Sequence, residues 1–185
     1  MRTAARARIR PLASLAWLGM VAIVVTTLLA IALVGCQSSP SEVAVGSPAP
    51  DFTVRTLDGQ RVSLSDLKGK TVVLNMWATW CGYCRLEMPE MEEAFHKYQD
   101  QGVVIVALNI QESYARVKQV IEAEGFTFPV WLDSDGSVAK TYRVSGLPMT
   151  FFIDGDGVLQ RKQLGQLTGE TLLDGIRVAS KGSIK

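Results

Sequence analysis

Two of the three cysteines in this 185-residue chain stand together as Cys81-Gly82-Tyr83-Cys84, and the third, Cys36, stands alone. A C-x-x-C spacing is open to several chemistries. If the pair opens a helix, one turn brings the sulfurs into disulfide range. The leading sulfur then faces unsatisfied backbone N–H groups and the positive end of the helix dipole, which favour thiolate over thiol. In that reading Cys81 attacks a disulfide, and Cys84, less exposed, resolves the mixed disulfide by attacking Cys81. A zinc site would need four ligands, yet there is no second cysteine pair and His96 is the only histidine. Covalent haem attachment needs histidine directly after the second cysteine, where this chain has Arg85. A purely structural staple across so short a loop would add little stability, because the loop-entropy gain grows with loop length.

The elements that must position the pair are legible on either side of it. Thr71-Val-Val-Leu-Asn-Met-Trp77 reads as a buried central strand feeding into Cys81. Beyond Cys84, Met88, Met91, Phe95 and Tyr98 recur at helical spacing, with Gly102 closing the element. Pro89 falls inside this helix and predicts a kink. Trp77 is expected in the core, and Trp80, directly before Cys81, on a docking surface. His96 with Glu90, Glu92, Glu93 and Lys97 reads as a solvated helix face.

Further along, Phe52–Arg55 and Arg61–Leu64 flank a hairpin turn at Asp58-Gly59. Val103–Leu108 is a second buried strand, followed by a helix between Ser113 as N-cap and Gly125 as its closing residue. Pro129–Leu132 is a short strand and Ser137–Tyr142 a short helix. Thr150–Ile153 and Val158–Leu164 form a hairpin, and Thr168 caps a last helix. The pattern predicts an α/β fold, a mixed sheet covered by helices on both faces.

Composition limits where such a domain works. Arg2, Arg6, Arg8 and Arg10 precede a largely apolar run from Leu12 to Val34, and every acidic residue lies beyond Cys36. Without those four arginines, 15 basic residues face 18 acidic ones, a net charge of −3 with histidine neutral, which argues against nucleic-acid binding. The run of about 23 residues reads as an export signal long enough to span a bilayer. Residues 1–36 are thus expected to be a leader or membrane anchor, 37–50 a linker, and 51–185 the domain. Both forms of anchoring place the domain outside the cytoplasm, because the arginines stay inside.

Leu33-Val34-Gly35-Cys36 resembles the bacterial lipobox, which implies lipidation at Cys36. The stretch Asn75-Met-Trp-Ala-Thr-Trp-Cys-Gly-Tyr-Cys-Arg-Leu-Glu-Met-Pro89 resembles the active-site segment of the TlpA/ResA-like thiol-disulfide oxidoreductases, a membrane-anchored branch of the thioredoxin superfamily with an AhpC/TSA-like redoxin domain. Val45–Phe52 is similar to that family's domain opening, and Val144–Asp154 to the segment that carries its cis-proline. The resemblance implies a thioredoxin-like fold with an N-terminal hairpin and a helix-strand insert over Gln111–Leu132. It implies that Pro148 is cis beside the disulfide and that the backbone around Leu147 pairs with an extended substrate. Met149 departs from the threonine often found there. Glu87 matches an acid that matters in ResA-like members, one helical turn beyond Cys84. Asn75 stands where cytoplasmic thioredoxins carry a buried aspartate.

The resemblance also implies a reductase of exported cysteine-containing proteins, with apocytochrome c as substrate, a membrane dithiol electron donor, and no cofactor besides the Cys81–Cys84 disulfide. Two other functions compete with this one. A peroxiredoxin-like thiol peroxidase would need proline and threonine or serine where this chain has Leu74 and Ala78. A non-redox module for assembly or metal delivery would not need the intact cysteine pair.

Overall fold

The computed structural model describes residues 43–184, so the apolar run expected to be a leader or anchor, and Cys36, lie outside the described residues. Seven strands, β1 (Thr53–Thr56), β2 (Arg61–Ser63), β3 (Thr71–Trp77), β4 (Val103–Ile110), β5 (Val130–Asp133), β6 (Met149–Ile153) and β7 (Leu159–Leu164), form one sheet in the order β2-β1-β5-β4-β3-β6-β7. β3, β4 and β5 are parallel neighbours, whereas β6 joins β3 antiparallel and β1 joins β5 antiparallel. The central strands are apolar almost throughout because both sheet faces are covered; every residue of β3 is buried.

Among the described residues four α-helices, α1 (Gly82–Tyr98), α2 (Tyr114–Glu124), α3 (Ser137–Thr141) and α4 (Gly169–Ala179), supply the cover. Met88 and Met91 of α1, Val117 and Ile121 of α2, and Leu172 and Ile176 of α4 share one core with Val73 and Trp77 of the sheet. On the opposite face Val138 of α3 and the following Tyr142 pack with Leu74, Met76 and Phe151. Ser113 caps α2 by accepting from the Arg116 N–H, and Gly125 closes it at a φ of 75°, a left-handed conformation that glycine adopts without steric cost.

Two expectations change. The domain does not begin at Asp51: Val43 is buried, the Gly46 N–H donates to the Leu159 carbonyl, and Ala49 N–H donates to that of Gly157. Residues 43–50 therefore run beside the start of β7 instead of forming a free linker, because the edge strand offers unpaired backbone groups there. Pro89 lies inside α1, which runs on to Tyr98 as the helical spacing of Met88, Met91, Phe95 and Tyr98 predicted. Glu92 is no mere solvated side chain, since it accepts from the Thr127 N–H at 2.9 Å and hydroxyl at 2.5 Å, from the Phe128 N–H and from His96. It thereby ties α1 to the segment leading into β5.

Candidate active site

β3 delivers the chain to the cysteines at its carboxyl end. Met76 pairs with Met149 across the antiparallel β3–β6 ladder, so Pro148, immediately before β6, lies at the same end of the sheet. β4 runs parallel to β3, and the segment after Ile110 reaches that end as well. Three separated stretches thus converge there.

Cys81 is the N-cap of α1, and its sulfur accepts from the Cys84 N–H at 3.2 Å. The two cysteines are joined by a disulfide, with Cα atoms 5.3 Å apart. Cys84 is fully buried while Cys81 keeps 6 % of its surface. Around them Trp80, Tyr83 and Leu86 stand exposed by 73, 67 and 63 %. Large apolar side chains left in water beside a disulfide suit contact with another molecule. The core position expected for Trp77 and the surface position expected for Trp80 are both found.

Glu87, on the turn after Cys84, is completely buried. It has no cationic partner among the described residues. Its Oε2 accepts from the Leu167 N–H at 2.6 Å and its Oε1 from Asn75 Nδ2 at 2.7 Å. Burial outweighs these two bonds and pushes the carboxyl up from 4.5 to about 7. A group poised there can give or take a proton near neutral pH.

Glu112, in the segment after β4, escaped the sequence reading. Its carboxylate accepts from the N–H and hydroxyl of Thr79 and from Asn109 Nδ2 at 2.8 Å, while Arg116 Nε donates to the Thr79 hydroxyl. These bonds hold the carboxyl below its ordinary value despite partial burial. They also fix the turn two residues before Cys81. Nothing in the pattern around Glu112 set it apart from an ordinary loop acid.

The Leu147–Pro148 peptide is cis, as the resemblance implied. Pro148 is buried and Leu147 half-buried, and the Pro148 carbonyl accepts from the Gly165 N–H. The register also brings Leu164, 57 % exposed, opposite Met149. Among the described residues no group of three or more histidine, cysteine, aspartate or glutamate side chains is arranged to hold a metal ion.

A mixed sheet sandwiched by helices, with a disulfide at the N-terminus of the helix that follows a central strand, defines a thioredoxin-like protein with a C-x-x-C redox site. The chain belongs to the AhpC/TSA family, whose model matches residues 45–162. It is 41% identical over 138 residues to the thiol-disulfide oxidoreductase ResA of Bacillus cereus (strain ATCC 10987 / NRS 248), an alignment covering 75% of this chain and 80% of that protein. With ResA of Bacillus subtilis (strain 168) it shares 40% identity over 140 residues, covering 76% and 78%. Among solved structures it resembles a thiol:disulfide interchange protein of the thioredoxin family from Chlorobium tepidum TLS, with a TM-score of 0.66 and 27% identity over 74% of this chain and 97% of that one. StoA from Bacillus subtilis matches with a TM-score of 0.61 and 28% identity, over 70% and 98%. The protein is a thiol-disulfide oxidoreductase.

Proposed function

We propose that this oxidoreductase works as a membrane-tethered, extracytoplasmic reductase of exported proteins, with apocytochrome c as its substrate. The observation that carries the reductive reading is the pairing of an N-cap sulfur on Cys81 with the buried acid Glu87 behind Cys84. In the dithiol form the helix N-terminus favours a thiolate on Cys81. That thiolate attacks one sulfur of a substrate disulfide, forming a Cys81–substrate bond and expelling the other substrate sulfur as a thiolate, which takes up a proton. Glu87 receives the proton of Cys84. The Cys84 thiolate then attacks the Cys81 sulfur, closing the Cys81–Cys84 disulfide and releasing the second substrate sulfur. Two electrons pass to the substrate, and a membrane dithiol donor restores the pair.

Trp80, Leu147 and Pro148 provide the docking side in this scheme, with the backbone at Leu147 pairing with an extended substrate segment. The redox chemistry needs no cofactor beyond the disulfide itself. The arginines, the apolar run and Cys36 support the tether, by lipid on Cys36 or by an uncleaved span. The deciding experiment is trapping with Cys84→Ser in cells making c-type cytochromes. It should freeze a mixed disulfide between Cys81 and apocytochrome c, and capture of other exported proteins without apocytochrome c would refute the substrate assignment. A reduction potential near −120 mV instead of below roughly −220 mV would refute the reductive direction.

A further inference from the structure

A buried carboxylate needs donors, and Glu87 takes its two from different elements. The Leu167 N–H comes from the loop entering α4 and Asn75 Nδ2 from β3. The amide of Asn75 is itself held from the far side, because Nδ2 also donates to Thr150 Oγ1 at 2.9 Å. Its Oδ1 is buried with no hydrogen-bond partner among the described residues. Turning the amide over would set Oδ1 against a carboxylate oxygen and strip the NH2 of both acceptors, so one orientation is fixed. Asn75, Glu87 and Thr150 are 1, 0 and 0 % exposed, which keeps water from substituting for any of these bonds. Thr150 lies opposite Asn75 in the β3–β6 ladder, two residues after Pro148.

We propose that Asn75 is a positioning residue that sets the charge state of Glu87, its amide braced by Thr150, so that the acid behind the cysteines and the strand following Pro148 share one hydrogen-bond chain. The inference rests on reading Glu87 as the proton relay. The groups around Glu87 leave this role to Asn75. On α1 the titratable neighbours one turn away are Cys84, held in the disulfide, and Tyr83 and Glu90, both exposed. The loop before α4 contributes only the Leu167 N–H, and the first acid of α4, Glu170, is exposed. β3 and β6 contribute the uncharged Asn75 and Thr150.

The test is an NMR pH titration of the full-length oxidised chain in detergent micelles with glutamate labelled at the carboxyl carbon, the Glu87 signal being assigned by its loss in Glu87→Gln. Asn75→Leu, close in size, should raise the Glu87 midpoint by about one to two pH units. Thr150→Val should raise it by less. An unmoved Glu87 midpoint in folded Asn75→Leu overturns the proposal. Should the variants not fold, the wild-type side-chain NH2 signals of Asn75 must shift with the same midpoint as Glu87, and signals that pass that pH unchanged overturn it as well. The relay is read separately, from the pH dependence of Cys84 attack in Asn75→Leu. A Glu87 midpoint that moves while this profile stays fixed upholds the Asn75 assignment and overturns the relay.

Discussion

Thr79 gives both of its donors to Glu112: its N–H reaches Oε2 and its hydroxyl Oε1, each at 2.6 Å. A loop carrying a reactive sulfur is thereby held by a side chain 33 residues further along the chain. Precise placement of the attacking atom is what such bracing provides.

Glu112→Ala should cost about 2 kcal/mol of stability, the scale of losing charge-assisted hydrogen bonds to partly buried donors. The bonds depress the Glu112 carboxyl below its ordinary value of 4.5. Stability from this source is therefore fully present above 4.5 and lost as pH falls through the depressed value. Denaturant titrations of wild type and variant should diverge at pH 7 and converge in acid.

Glu87 behaves in the opposite sense. With its carboxyl raised from 4.5 to about 7, the native state holds a proton that the unfolded chain releases, so folding stability declines as pH rises through that window. The cost at pH 8 is on the order of 3 kcal/mol. Glu87→Gln should be the more stable protein at pH 8 and match wild type near pH 4. Its rate of mixed-disulfide resolution should fall by about 10²-fold, the scale of a lost acid-base group, as read in stopped-flow mixing with a disulfide peptide.

The exposed aromatic beside the cysteines should matter for docking and not for folding. Trp80→Ala should leave the thermal midpoint within about 2 °C, since surface changes stay within about 0.5 kcal/mol. It should raise KM for a protein disulfide while leaving reaction with a small disulfide such as oxidised dithiothreitol unchanged. Equal loss on both substrates would assign Trp80 to the chemistry instead.

Packing at the back of the site makes a sterner demand. A methyl group added at Gly175 of α4 would run into the ring of Phe152 on β6, and both residues are buried. Gly175→Ala should destabilise the fold by about 1–3 kcal/mol through overpacking, measurable as a lowered urea midpoint at unchanged slope.

How much of this was legible follows from the range of each interaction. Strand and helix periodicities, the Ser113 and Thr168 caps and the Asp58-Gly59 turn are local, and all appear where the sequence placed them. Glu92 read as a solvated face because its partners, Thr127 and Phe128, lie 35 and 36 residues away. Residues 43–50 read as linker because their composition carries no periodicity, whereas their order comes from the edge of β7. Asn75 was marked only as standing where cytoplasmic thioredoxins carry an aspartate, and its partners Glu87 and Thr150 lie 12 and 75 residues away.

The sequence by itself determined the chemistry at hand and its polarity: two cysteines three apart, a strand before them, a helix after them, and an acid one turn further on. The cysteines, strand and helix depend on spacing along the chain and on the helix dipole, properties of a single segment, and the acid was marked by the family resemblance. Only the tertiary structure decided what surrounds them. It set Asn75 and the Leu167 N–H on Glu87, Glu112 on Thr79, and Pro148 at the sheet end that bears Cys81. Those relationships arise where sheet register brings distant residues together in a dry interior, and there each buried polar group must find its partner.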